Sequence, residues 1–315
     1  MPNIEEEEII AVGISGGPDS FALLKLLSEW SYNKNVKIIA ITVDHNLRDE
    51  SAAEAAYVGK LISNWTNVEH VILKWEGDKP KSSIMEEARK FRYKLMSEYL
   101  NKNNGKYLFI GHHMDDQAET VLFRLCKGSG IKGLSGIRDI QKTDDMLVIR
   151  PLLNFTKQEL IDICKHYKIK FITDPSNTNE DYTRPRLRSL RNSLANEGLS
   201  AKRLSKLAQR MNNCENALDH YAEKLVNKAR SENEAILLNM CDILSEPSEI
   251  RNRAIIKIIG LIGKNKSDYG VRLHRAETAL DEVFSSPTTT TRTIGGCLVK
   301  KDRKNNLLKV SKEFT

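Results

Sequence analysis

The stretch IIAVGISGGPDS, residues 9–20, joins a short apolar run to a pair of glycines and the start of a helical pattern. Apolar β-branched runs of this length are typical of strands buried in a parallel sheet. The glycines let the backbone approach a ligand closely, and the N–H groups at the helix start, with the Ser15 and Ser20 hydroxyls, can bind an anion. The stretch therefore predicts a strand, an anion-binding turn and a helix.

Taken by itself, this turn has a simpler interpretation. Most isolated Gly-Gly pairs belong to ordinary strand-to-helix turns in which Ser and Asp only cap the helix. A Walker A loop is excluded, because no Gly-Lys-Ser or Gly-Lys-Thr follows Gly17 at the required spacing. The position of the turn in the whole fold decides between a cap and an anion site.

The alternation of strand and helix recurs through the front half of the chain. Apolar runs that predict strands occupy residues 9–14, 36–43, 68–73, 107–111 and 147–149. Stretches with helical periodicity occupy residues 20–30, 51–65, 83–100, 116–126 and 157–167. This order predicts an α/β fold with a doubly wound parallel sheet, whose ligands bind beyond the carboxyl ends of the strands.

Composition limits the class of protein. With 315 residues and 40% hydrophobic residues, the chain can fill a sizeable core, which excludes a disordered protein. No run of about eighteen uncharged apolar residues occurs and the first residues are acidic, so we expect a cytoplasmic protein that binds no membrane. The five cysteines are irregularly spaced and fit neither a disulfide framework nor a Cys-x-x-Cys site.

The back half differs in pattern and in charge. Helical periodicity at residues 199–230, 247–262 and 271–284 is followed by a predicted hairpin within 293–310. We predict two domains, residues 1–190 and a mainly helical 191–315. Residues 184–315 contain 25 basic and 15 acidic residues, net +10, against 24 and 27 before them. This asymmetry indicates either a surface for nucleic acid or a solvated basic face.

A second motif, GHHMDDQAET at residues 111–120, runs from a predicted strand end into a helix. Adjacent carboxylates at a strand end can hold Mg²⁺ against phosphates. Asp116 and Glu119 lie three residues apart and share a helix face, which suits a cationic substrate group. Alternatively, Asp115 and Asp116 only interact with the helix dipole, and His112 or His113 is a core histidine.

Three basic segments are candidates for binding phosphate. Arg89 and Arg92 are three residues apart and can form a clamp, although a solvated face with intrahelical partners fits the local pattern nearly as well. The loop KGSGIKGL, residues 127–134, is glycine-rich and cationic, and the segment TRPRLR, residues 183–188, has arginines at alternate positions. Both suit contacts to RNA phosphates, or are linkers with solubilising charge.

The order of these motifs resembles that of the tRNA(Ile)-lysidine synthetase family. Members of this family are N-type ATP pyrophosphatases with a PP-loop. The matching segments are SGGPDS (15–20), VDHNLR (43–48), ARKFRY (88–93), HHMDDQAET (112–120), the glycine-rich loop, RPLL (150–153) and DPSN (174–177). The resemblance covers residues 9–188. Asn46 stands where the family usually has Gly, and Pro185 where it often has Asn.

The resemblance implies a Rossmann-like PP-loop fold and an enzyme that uses ATP and Mg²⁺. In such enzymes the C2 oxygen of the wobble cytidine attacks the α-phosphate of ATP and pyrophosphate leaves. The ε-amine of free L-lysine then displaces AMP, and the product, lysidine, pairs with A instead of G. The partners implied are tRNA(Ile) with a CAU anticodon and free lysine, with no protein partner.

The resemblance also implies roles for individual residues. ATP binds to Ser15, Gly16, Gly17, Pro18, Asp19, Ser20, Asp44 and His45. Catalysis is assigned to Asp19, Arg89, Arg92 and Asp115, with Mg²⁺ on Asp19 and Asp115. Lysine binds to Asp116 and Glu119, and tRNA contacts Lys127, Lys132, Arg184, Arg186 and Arg188.

Three other functions compete with lysidine synthesis. A tRNA thiolase on the same fold needs a persulfide cysteine or cluster-binding cysteines, which the cysteine spacing disfavours. An amidation enzyme, such as a nucleotide or NAD synthetase, needs no basic helical half. A non-catalytic RNA-binding protein needs none of the carboxylates Asp19, Asp115, Asp116 and Glu119.

Overall fold

The structure, a computed structural model, describes residues 4, 8–32, 34–45, 51–77, 84–143, 145–172, 187, 190–263 and 273–313. The chain forms two compact units, Met1–Asn212 and Asn213–Thr315. No helix within the described residues is long and apolar enough to span a membrane.

The first unit is built on a six-stranded sheet with the order β3-β2-β1-β4-β6-β5. Its strands are β1 (Ile9–Gly13), β2 (Lys37–Asp44), β3 (Val68–Lys74), β4 (Tyr107–Ile110), β5 (Ile140–Lys142) and β6 (Leu147–Ile149). All neighbouring pairs are parallel except β5 with β6. The predicted parallel sheet is confirmed. The sequence did not indicate β5, because this edge strand exposes all three of its side chains and has no apolar pattern.

Helices cover both faces of this sheet. The helices from the start of the chain to Val226 are α1 (Pro18–Ser31), α2 (Ser51–Ile62), α3 (Ile84–Lys102), α4 (Met114–Cys126), α5 (Ile131–Leu134), α6 (Lys157–His166), α7 (Arg191–Asn196) and α8 (Ala201–Val226). Ile10 and Val12 of β1 join one hydrophobic core with residues of α1 and α6, whereas Ala11 joins another with residues of α3. This alternation confirms the doubly wound fold, since successive strand side chains point to opposite faces.

The second unit packs helices on an antiparallel sheet with the order β7-β8-β11-β10-β9. Its elements after α8 are β7 (Arg230–Glu232), β8 (Ala235–Asn239), α9 (Met240–Leu244), α10 (Ser248–Ile262), α11 (Leu273–Ser285), β9 (Thr290–Ile294), β10 (Cys297–Asp302) and β11 (Leu307–Lys312). The predicted hairpin is confirmed as β10 and β11. The sheet around it was not predicted, because β7 and β9 expose most of their side chains.

Candidate active site

The candidate site lies where β1 and β4 end, beside one another, at the carboxyl edge of the parallel sheet. Chains leaving neighbouring strands at such a point open a crevice in which α/β proteins bind ligands. Gly111, directly after β4, permits a close approach to α1, because a Cβ there would lie 3.0 Å from the carbonyl oxygen of Asp19. The start of α1 and the segment entering α4 are thereby brought together.

The turn between β1 and α1 requires glycine at position 16. Gly16 has a φ of 86°, and a Cβ on it would lie 2.9 Å from Cδ1 of Ile172. Ser20 Oγ donates to the Gly17 carbonyl at 2.9 Å and accepts from the Ser15 N–H at 3.3 Å. Gly17 is the N-cap of α1 and offers no side-chain cap, so the first-turn N–H groups remain suited to an anion.

In contrast, α4 begins with a full capping box. The His113 Nδ1 accepts from the Asp115 N–H at 3.2 Å, and the Asp116 carboxylate accepts from the His113 N–H at 3.0 Å. The box starts the helix at Met114, two residues before the predicted start. Because Nδ1 accepts this bond, the hydrogen bond assigns a ring proton to Nε2.

Three carboxylates converge on the buried ring of His113. Its Nε2 lies 3.5 Å from Asp116 Oδ2 and 3.7 Å from Asp19 Oδ2, and its Nδ1 lies 3.4 Å from Asp115 Oδ2. Glu119, also buried, follows Asp116 by one turn of α4. We refer to Asp19, Asp115, Asp116 and Glu119 as the carboxylate cluster.

The electrostatics of the cluster favour a bound cation or proton. Burial raises the pKa of the Asp116 carboxyl above its ordinary value. The His113 ring and its backbone N–H lower this pKa, and the negative charges of Glu119 and Asp19 raise it. A cationic group placed between Asp116 and Glu119 would relieve this repulsion.

Lys157 is a site residue that the sequence did not indicate. Its Nζ donates to Asp19 Oδ2 at 2.6 Å, and its backbone N–H donates to Asp115 Oδ2 at 2.7 Å. The capping box of Thr156 and Glu159, which places Lys157 at the first position of α6, is readable from the sequence. Its contact with Asp19, 138 residues away, depends on tertiary packing that no local pattern shows.

The two predicted clamp arginines lie beside His112. The guanidinium groups of Arg89 and Arg92 lie 5.4 Å and 5.7 Å from the centre of the Tyr93 ring. Arg89 is exposed, whereas burial lowers the pKa of Arg92, whose Nε has no hydrogen-bond partner within the described ranges. The structure therefore brings both to the end of β4, although it shows no direct contact with the carboxylate cluster.

His112 is a neutral acceptor in the core of this region. Burial lowers its pKa to about 2, and the positive charges of Arg150, Arg89 and Arg92 contribute. Its Nδ1 accepts from Arg150 Nε at 3.1 Å. The buried Arg150 guanidinium also donates to the Arg138 carbonyl and the Gln141 side chain. These contacts give Arg150, the first residue of the RPLL motif, a structural role.

Asp44 is the last residue of β2, the neighbour of β1, and His45 follows it at the same sheet edge. Asp44 is buried, and its carbonyl accepts from the Trp75 N–H at 2.9 Å. The His45 ring meets Trp75 edge-on at 6.1 Å, and Trp75 stacks on Phe91 at 4.7 Å. An aromatic cluster thus lies at the carboxyl ends of β2 and β3, on the same sheet edge as the turn that the sequence predicts to bind nucleotide.

Of the predicted RNA contacts, the structure describes two. Lys127 and Lys132 are exposed on the glycine-rich loop. Arg124 holds this loop through hydrogen bonds of 2.8 Å to the Gly133 and Gly136 carbonyls. The other candidates and the family-specific positions lie outside the described residues: Arg184, Arg186, Arg188, Asn46, Pro185 and the segment 174–177.

The cysteine adjoining the site is a packing residue. Cys164 is buried, and its thiol donates to the Pro18 carbonyl at 3.3 Å. Burial raises its pKa to about 11, which disfavours the nucleophilic thiolate at neutral pH. Within the described ranges, no group of three or more His, Cys, Asp or Glu side chains is arranged to hold a metal ion by itself.

The chain is similar to several known proteins. Residues 2–195 match the family model of the PP-loop domain. A tRNA(Ile)-lysidine synthase of Wolbachia pipientis wMel is 33% identical over 302 residues, covering 95% of this chain and 70% of that protein. Another, from Rhodopseudomonas palustris, is 38% identical over 260 residues, covering 81% and 75%.

A solved structure shares the fold. The U34-tRNA thiolase NcsA from Methanococcus maripaludis, determined with its [4Fe-4S] cluster, matches with a TM-score of 0.55 and 20% identity. The match covers 66% of this chain and 72% of the thiolase. At this identity the similarity supports the architecture of the sheet and its helices.

Proposed function

The chain belongs to the tRNA(Ile)-lysidine synthase family, and we propose that it joins free lysine to C2 of the wobble cytidine in the CAU anticodon of tRNA(Ile), with ATP as the activating substrate. The convergence of three carboxylates on His113, beside the uncapped N-terminus of α1, carries this proposal. A turn suited to an anion next to a cluster suited to a cation is what the two halves of the reaction need. The modification would change the codon and amino-acid identity of the tRNA from methionine to isoleucine.

In the first step, the C2 oxygen of the cytidine attacks the α-phosphorus of ATP, and the bond to pyrophosphate breaks. The N–H groups of α1 and the hydroxyls of Ser15 and Ser20 would bind the phosphates. Arg89 and Arg92 would stabilise the charge that develops on the α-phosphate. The base must be unstacked to reach the site, so we expect the enzyme to hold a single-stranded anticodon loop.

The carboxylates of Asp19 and Asp115 suit Mg²⁺ bound together with ATP. Asp19 Oδ1 is buried and has no hydrogen-bond partner within the described part of the chain, while Oδ2 is held by Lys157. Mg²⁺ in nucleotide sites uses one or two carboxylates plus phosphate oxygens, so a site with few protein ligands fits it. When bound, Mg²⁺ would neutralise phosphate charge.

In the second step, the lysine ε-amine attacks C2, the bond from C2 to the AMP oxygen breaks, and AMP leaves. Asp116 and Glu119, on one face of α4, would bind the ammonium form. The amine must lose a proton before attack. Asp116, with its pKa raised chiefly by burial, is the group we assign as acceptor.

Release of labelled pyrophosphate from ATP tests this function, with tRNA and lysine added singly and together. We expect release that requires CAU tRNA(Ile), occurs without lysine, and is lost when the wobble cytidine is replaced by uridine. Release with a small carboxylate in place of tRNA would instead indicate an amidation enzyme on the same fold.

A further inference from the structure

The positive charge of the back half is concentrated in a short segment. Residues 184–212 contain eight basic residues and one acidic residue, a net charge of +7. The whole second unit, Asn213–Thr315, contains 17 basic and 14 acidic residues, a net charge of only +3. The excess charge therefore belongs to the end of the first unit.

Helix α8 presents part of this charge on one face. Lys202, Arg203, Lys206 and Arg210 are all exposed, and at 100° per residue they lie within an arc of about 100°. From Lys202 to Arg210 they extend over about 12 Å of the helix. We call these four residues the α8 stripe.

The opposite face of α8 is anchored on the catalytic unit. Leu204 and Ala208 pack in one hydrophobic cluster with Ala118, Val121 and Leu122 of α4. The same helix α4 carries Asp115 and Asp116 of the carboxylate cluster in its first turn. Packed helices lie about 8–10 Å apart, so this contact attaches the helix of the stripe to the helix that carries Asp115, Asp116 and Glu119 of the candidate site.

The cations of the stripe differ from those of the second unit in their partners. Within the described residues, two cations of the stripe donate hydrogen bonds to neutral groups. Arg203 donates to the Gly198 carbonyl at 3.0 Å, and Lys206 donates to the Gln209 side chain at 2.9 Å. In the second unit, carboxylates accompany many cations. Arg253 pairs with Glu215, Asp219 and Glu249, Lys257 with Asp219 and Glu223, Lys228 with Asp242, and Arg292 with Glu282.

We propose that the α8 stripe docks the phosphate backbone of a tRNA stem and thereby presents the anticodon to the site. This inference rests on the proposed function for the identity of the RNA. Exposed cations on a regular helix match a polyanion by charge and need no base-specific geometry. The second unit, with a net charge of only +3 and four cations paired with carboxylates, contributes less to RNA affinity.

A charge-removal variant of the full chain tests the proposal. The variant K202Q/K206Q/R210Q removes three cations and keeps Arg203, which is bonded to the helix start. The matched control is K300Q/K304Q/K309Q, which removes three exposed cations of the second unit. For both, tRNA(Ile) affinity is measured between 50 and 200 mM salt, conditions over which phosphate contacts weaken strongly. The stabilisation of each variant by ATP checks that the first unit is folded.

We expect the stripe variant to bind tRNA more weakly at low salt, with a dependence of log affinity on log salt shallower by about 2 to 3. The control should keep the wild-type slope. An unchanged slope in a stripe variant that ATP still stabilises would overturn the proposal, as would an equal loss in the control. If the stripe variant keeps its tRNA affinity but loses binding of an acidic protein, tRNA is not the partner of the stripe and the proposal is wrong.

Failure of this inference is distinguishable from failure of the proposed function. A wild-type chain that forms lysidine, with a stripe variant that binds tRNA normally, would refute only the docking surface. Conversely, a wild-type chain that forms no lysidine, but binds tRNA through the stripe, would refute only the reaction.

Discussion

The carboxylate cluster and the α8 stripe use charge in opposite ways. In the cluster, buried and half-buried carboxylates are held by specific partners, such as Lys157 on Asp19 at 2.6 Å. In the stripe, exposed cations stand in solvent on a regular helix. Buried charges are screened little by salt, whereas exposed ones are screened strongly. The cluster should therefore depend on atomic position, and the stripe on the number and sign of its charges.

The largest effect that separates the two regions is expected for Asp19→Asn. The substitution removes a carboxylate that contacts Lys157 and that we propose for Mg²⁺. We expect tRNA-dependent pyrophosphate release to fall by about 10²- to 10³-fold. Affinity for tRNA at low salt should stay within about twofold of wild type, since the stripe is intact. Equal losses of both would contradict the separation.

Glu119→Gln tests the division of work inside the cluster. The amide keeps the size of the side chain but removes the charge that faces Asp116. We expect the lysine concentration for half-maximal lysidine formation to rise by about 10- to 100-fold, the effect of losing a charged hydrogen bond. Adenylation of tRNA without lysine should continue. If both steps fall together, Glu119 does not bind lysine.

The role of Lys157 is smaller and positional. Lys157→Met leaves the backbone contact to Asp115 but removes the ammonium from Asp19. We expect the kcat of pyrophosphate release to fall by about 10-fold with little change in the KM for ATP, because Asp19 loses its orientation. Lys157→Arg should recover part of the loss. A change in KM alone would indicate that Lys157 binds ATP directly.

The last prediction concerns the stability of the fold in acid, and its expected effect on activity at neutral pH is the smallest. Because the folded pKa of His112 is lowered from 6.5 to about 2, the unfolded chain takes up a proton below pH 6.5 that the folded chain does not. His112 therefore destabilises the fold by up to about 1.4 kcal/mol per pH unit as pH falls from 6.5. His112→Asn keeps an acceptor for Arg150 and should make stability between pH 6.5 and 5 less dependent on pH. Denaturant unfolding measures this, and an unchanged slope would contradict it.

The two regions also differ in how far the sequence predicts them. The turn at residues 15–20 and the pairing of Asp116 with Glu119 depend on local patterns, so the sequence places them correctly on a strand end and a helix face. Lys157 was missed because only tertiary packing brings it to Asp19. Charge counting found the basic back half, but it could not show that four cations of the second unit, Lys228, Arg253, Lys257 and Arg292, pair with carboxylates.

The burial of a strand's side chains decided whether the sequence predicted it. Buried strands such as β1 and β2 have continuous apolar runs because helices cover both faces of their sheet. The short strands β5 and β7 expose every side chain, so no periodicity marks them. Their hydrogen bonds to neighbouring strands define them, and those bonds are not visible in sequence.

We expect the carboxylate cluster to be where lysine is joined to the wobble cytidine. The direct measurement is mass analysis of the nucleoside at the wobble position of CAU tRNA(Ile), after incubation with the enzyme, ATP, Mg²⁺ and isotopically labelled lysine. We predict a cytidine that carries the labelled lysine, formed by the wild type and not by Asp19→Asn. An unmodified cytidine after ATP has been consumed in a tRNA-dependent reaction would contradict the account.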